Sequence, residues 1–95
     1  MTTNDEEFEV ELRWRERVIY WEGSHGFEFE GAWGGAPRYT IVPNEQDWDE
    51  QVPPWMRGRR DEIVRRLDNY PAEEVTTEGY HDWGSPGARE HTRDV

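Results

Sequence analysis

From Phe8 to Arg15 apolar and charged side chains take strict turns: Phe8, Val10, Leu12 and Trp14 fall on one parity, Glu9, Glu11, Arg13 and Arg15 on the other. A strand sends successive side chains to opposite faces, so this segment reads as a strand with one apolar and one charged side. The apolar side must be covered by another layer of the same fold. Val18 to Trp21 is a second β-rich run, followed by the turn signal Gly23-Ser24-His25-Gly26, after which Phe27 and Phe29 alternate with Glu28 and Glu30. This predicts a hairpin with a four-residue turn, pairing Tyr20 with Phe29 and Glu22 with Phe27. Residues 31–37 read as a Gly-rich loop around Trp33, and Tyr39 to Val42 as a fourth strand ended by Pro43.

The pattern then changes period. Asn44 can cap a helical turn, with Asp47 at its third position, and Glu45, Asp47, Asp49 and Glu50 suit the positive end of a helix dipole. Pro53-Pro54 stops that turn and suits the start of a second helix, expected from Pro54 to Asn69. On it Met56, Ile63 and Leu67 share one stripe, flanked by Arg59 and Arg60. Asp61–Arg65 and Glu62–Arg66 are (i, i+4) pairs in the better orientation, and Gly58 is a weak point. Pro71 closes the element, and Val75 to Trp83 is a candidate short strand.

The expected fold is therefore α+β: a small antiparallel sheet of three to four strands with a C-terminal helical segment packed on one face. Residues 1–83 form its single domain and 84–95, beginning Gly-Ser-Pro-Gly, a disordered C-terminal tail. Its core has to be aromatic. Leu, Ile, Val and Phe supply only 15 of the 95 residues, whereas there are six Trp and four Tyr. Each buried aromatic removes about 150–250 Å² from water.

Charge narrows the functions. Acids number 22 against 11 bases, every base is Arg, and the net charge is −11. The absence of lysine reads either as a codon bias towards Arg or as adaptation to high salt, where self-repulsion is screened within about 3 Å at 1 M. It also removes the P-loop, Schiff-base and kinase lysines. With no cysteine there are no disulfides, thiolate metal sites or Cys nucleophile. Ser24 and Ser85 have no nucleophile-elbow context, and no dinucleotide-binding glycine motif follows a strand. The polar, acidic start does not resemble a signal peptide, and no apolar run reaches the ~18 residues of a membrane span. A cytoplasmic protein with no cofactor, no metal and no catalytic residues is the expectation.

Three groups remain. His81-Asp82, beside Tyr80 and Trp83, is the most site-like cluster, although no histidine spacing supports a metal. Arg57, Arg59, Arg60, Arg65 and Arg66 form the one basic patch. Asp61 and Glu62 interrupt it and the rest of the chain is acidic, so it reads as a solvated helix face tied by ion pairs, not as a nucleic-acid surface. In the aromatic group, a single helix layer covers one face of the sheet, leaving Ile19 and Trp21 on the other together with Trp33 on its loop. These three are the candidate partner-binding residues. The leading functional expectation is a non-enzymatic binding or accessory module, immunity- or inhibitor-like towards a basic protein. The alternative is a salt-adapted housekeeping domain acting as a homodimer.

Overall fold

The alternating segment becomes strand β1 (Phe8–Arg13), paired antiparallel with β2 (Arg17–Glu22), which in turn pairs antiparallel with β3 (His25–Ala32). The computed structural model describes residues 8–13, 17–32, 38–68 and 73–94. Trp14, Trp33, Pro71 and the rest of the 33–37 loop lie outside them.

The β2–β3 turn is tighter than the expected one. Gly23 and Ser24 alone make it, Glu22 faces His25, Tyr20 faces Phe27 and Val18 faces Phe29. Gly23 takes the left-handed region at φ 59°, which costs glycine nothing. The shift amounts to two residues and therefore keeps every side chain on its expected face. Phe8, Val10, Leu12, Val18, Tyr20, Phe27 and Phe29 all join one cluster on the inner face.

The sheet exceeds the three to four strands expected, and it is mixed. Strand β4 (Arg38–Ile41) pairs antiparallel with the C-terminal half of β3, and β5 (Glu73–Thr76) runs parallel to β4. A parallel pair needs a crossover, which the helical segment supplies, so that segment lies between two strands and not at the C-terminal end. It holds two helices, α1 (Trp48–Gln51) and α2 (Arg60–Asp68). The single helix expected over 54–69 breaks at Gly58. Pro54–Met56 forms a 3₁₀ turn, Gly58 sits at φ 73°, and α2 starts two residues later. Asp49 stabilises the break by accepting the Gly58 N–H at 2.9 Å and, through its carbonyl, Arg57 Nε at 3.0 Å. The capping box expected at Asn44 does not form. Asp47 is the N-cap of α1 and makes no side-chain cap bond.

The apolar stripe nevertheless stands: Met56, Ile63 and Leu67 are buried against the inner face with Trp48 and Val52. Trp48 stacks on Phe29 with ring centres 6.1 Å apart and donates its indole N–H to Met56 O at 3.0 Å.

The largest departure is the C-terminal segment, read from the sequence as a disordered tail. Pro86–Arg89 forms a 3₁₀ turn and β6 (Glu90–Thr92) pairs antiparallel with the N-terminal half of β3. The physical reason lies in β3: β4 covers only its last three residues, leaving an open edge at His25–Phe27. Between the two partners Glu28 has no strand opposite, and Arg89 Nη1 reaches its carbonyl at 3.4 Å. Among the described residues no helix is long and apolar enough to cross a membrane.

Candidate functional site

The structure divides the five arginines of the expected basic patch. Arg57 and Arg65 are exposed, and Arg60, half-buried, donates to Pro43 O at 3.2 Å. Arg66 shares the buried side of α2 with Ile63 and Leu67 and is 6% exposed. It donates to the Tyr20 hydroxyl at 2.7 Å and to Glu22 at 2.9 Å, and pairs with Glu62 at 2.8 Å. Arg59 reaches both Glu22 oxygens, at 3.0 and 2.7 Å, and Glu62 at 2.9 Å. The expected solvated face is thus corrected for Arg59 and Arg66. These two turn inward because a carboxylate on β2 lies beneath them, and no sequence-local pattern encodes a contact 37 or 44 residues away.

The chemistry of this cluster is that of a clamp. Burial and the hydrogen bond to Glu22 push the Tyr20 phenol far above its ordinary value. Burial pushes the Glu22 carboxyl up, but hydrogen bonds from Arg59 and Tyr20, with the charges of Arg59 and Arg66, outweigh it and leave it below its ordinary value. A phenol held protonated and a carboxylate held ionised do not exchange protons near neutrality. The adjoining open groove, about 460 Å³, is lined by carboxylates and guanidiniums of both signs, among them Asp49, Asp61, Arg60 and Arg65.

Two of the three expected partner-binding residues are buried, at 0% exposure for Ile19 and 3% for Trp21; the third, Trp33, lies outside the described residues. Ile19 and Trp21 do point away from the helices, as the alternation requires. The C-terminal segment covers the Trp21 side of that face. Arg93 lies 4.3 Å over the Trp21 ring, His91 meets its edge, and the indole N–H donates to Glu11 at 2.8 Å. Below the ring is Gly26, where a Cβ would come within 2.7 Å of it, so the position accepts no side chain without movement. The sequence carries no apolar signal for this burial, because the covering residues, His91 and Arg93, are polar.

The Tyr80–Trp83 segment joins two half-exposed aromatic rings to the exposed His81 and Asp82. Gln51 of α1 holds the loop: its amide donates to Asp82 at 3.1 Å and its oxygen accepts the Trp83 N–H at 2.8 Å. Trp83 packs on Phe27, Phe29 and Tyr80, with Arg89 4.2 Å over its ring. Burial raises the Tyr80 hydroxyl above its ordinary value, and the charges of Asp47, Asp82 and Glu50 raise it further. The charges of three carboxylates from two segments thus act on one half-exposed phenol. The sequence showed Asp47 and Glu50 only as helix-start residues, since the link through Gln51 spans more than 30 positions. His81 lies 3.4 Å from Glu30, and among the described residues no group of three His, Asp or Glu side chains could hold a metal ion.

No protein-family profile, curated protein or solved structure matches the chain.

Proposed function

We propose that the chain is a non-enzymatic binding module that meets a basic protein through the acidic face around Tyr80. The observation that carries this reading is where the arginines go. Arg13, Arg17, Arg59, Arg66, Arg89 and Arg93 are each ion-paired within the chain. Asp47, Glu50 and Asp82 have no arginine bonded to them among the described residues, and Glu50 and Asp82 are exposed. These pairs cancel charge within the chain, so the acids left without an arginine give the Tyr80 face its negative charge, which speeds encounter with a cationic surface and repels phosphate backbones. Tyr80 and Trp83 add the aromatic area that anchors contacts.

Affinity capture tests the reading with three baits: the parent, Asp47→Asn/Glu50→Gln/Asp82→Asn, and a control of equal charge change elsewhere, Asp61→Asn/Glu74→Gln/Asp94→Asn. A basic protein bound by parent and control but at least about tenfold weaker with the first variant supports the site. Equal binding by all three, or equal loss from both variants, defeats it.

A further inference from the structure

We infer that β1 is a dimerisation edge, at which a second copy of the chain adds its own β1 antiparallel and extends the sheet. This rests on the strand ladder and is independent of the acidic face.

Glu22 and His25 close a two-residue turn, and residues that close such a turn exchange their own N–H and C=O bonds. Antiparallel ladders alternate, so Trp21, Ile19 and Arg17 bond towards β1, and their partners Glu9, Glu11 and Arg13 bond back. The N–H and C=O groups of Val10 and Leu12 must then point away from the sheet. On β3 the same alternation sends the Glu28 carbonyl away from β2, and Arg89 meets it there. Strand β1 ends the strand order, and among the described residues no backbone group bonds its outer edge.

The edge is self-complementary in one register. Set Val10 opposite Leu12 of the second copy, and four outward backbone bonds close between the two strands. Glu9 then faces Arg13 of the second copy, twice, with close side chains because this is a non-hydrogen-bonded pair. Arg13 uses Nε and Nη2 for Glu11, leaving Nη1 for the incoming Glu9. Glu9 uses Oε1 for Arg93, leaving Oε2. Glu11 meets its own copy on the two-fold axis, where its hydrogen bonds from Trp21 and Arg13 offset the like charge. Sliding two residues one way would oppose Glu9 with Glu11; sliding the other way leaves three paired residues of β1. Half-buried Phe8 and Leu12 lie on the inner side of this edge, where a second strand would cover them.

Charge exchange across the edge is the test, read by sedimentation equilibrium in about 0.3 M KCl, where charges more than ~6 Å apart are screened. The parent is expected to dimerise. Glu9→Arg and Arg13→Glu should each weaken the dimer at least tenfold by opposing like charges. Glu9→Arg/Arg13→Glu together should bind at least about threefold tighter than either single variant, although it stays weaker than the parent because Glu11 loses Arg13 and Arg93 loses Glu9. Circular dichroism of each variant separates loss of the dimer from loss of the fold. Hydrogen exchange needs no substitution: Val10 and Leu12 amides should gain protection with rising protein concentration while those of Glu9, Glu11 and Arg13 stay constant. A monomeric parent, singles that dimerise as it does, or Val10 and Leu12 amides indifferent to concentration would overturn the inference.

Discussion

On the inner face of the sheet Tyr20, Phe27 and Phe29 are covered by Trp48, Met56, Ile63 and Leu67, apolar surface on apolar surface. On the outer face Trp21 is as well hidden, but beneath Arg93, His91 and Glu11. The inner cover draws on area removed from water, which salt does not weaken. The outer cover draws on guanidinium over ring, indole N–H to carboxylate, and ion pairs at the surface, each small and the charged ones screened by salt. Two faces of one sheet are thus closed by forces with different dependence on salt and pH, and that difference can be attacked experimentally.

The largest effect belongs to the inner face. Trp48→Ala removes a 1%-exposed ring stacked on Phe29 and leaves a cavity between α1 and the sheet. The expected loss is about 3–5 kcal/mol in urea unfolding, and it should be the same in dilute buffer and in molar KCl. A loss that halves with salt would mean that the inner face, too, is held electrostatically.

Glu22 joins the two regimes, since it carries the charge clamp at the rim of the apolar core. Glu22→Gln leaves Arg59 and the buried Arg66 facing a neutral amide and should cost about 2–3 kcal/mol at pH 7. The sign with pH follows from the lowered carboxyl values of Glu22 and Glu11. A depressed folded value adds stability that is complete above the unfolded value, near 4.3, and is lost as pH falls through the folded one. Parent stability should therefore decline below about pH 4.5 more steeply than that of Glu22→Gln. Parallel declines would remove Glu22 from the account.

What the sequence disclosed follows the range of each interaction. The alternation of Phe8 to Trp14 gave the inner face, and the Met56, Ile63, Leu67 stripe gave the helix side that covers it, because both patterns are local repeats. The two-residue error in the turn did no harm, since parity survived it. The burial of Ile19 and Trp21 is not legible in the sequence, because parity says which way a side chain points and nothing about what lies over it. Their neighbours Arg93, Glu11 and Glu28 carry charge, and a charged cover has the composition of a tail or a solvent face. Of the Tyr80 face the sequence showed the cluster Tyr80 to Trp83; it could not show the charges of Asp47 and Glu50 acting on it, because the bonds that tie that loop to α1 through Gln51 run across the fold.

The smallest effect is the most discriminating. Arg93 donates to Glu9 at 2.8 Å and lies over Trp21 at 4.3 Å, so its two roles can be separated. In a double-mutant cycle with Arg93→Ala and Glu9→Ala, the coupling should be about 0.2–1 kcal/mol in dilute buffer, the range of an exposed pair, and should approach zero in 1 M KCl. Arg93→Ala should still cost about 0.5–1 kcal/mol there, because the guanidinium over the indole is partly desolvated and its stem covers the ring. Meanwhile the parent as a whole should gain stability over the same salt range, as the repulsion of a net charge of −11 is screened. Salt would then loosen the rim pair while tightening the molecule that carries it. If the parent loses stability with KCl, its acidity is no adaptation to salt, and its ion pairs, those of Glu22 and Arg93 among them, outweigh the repulsion of its net charge.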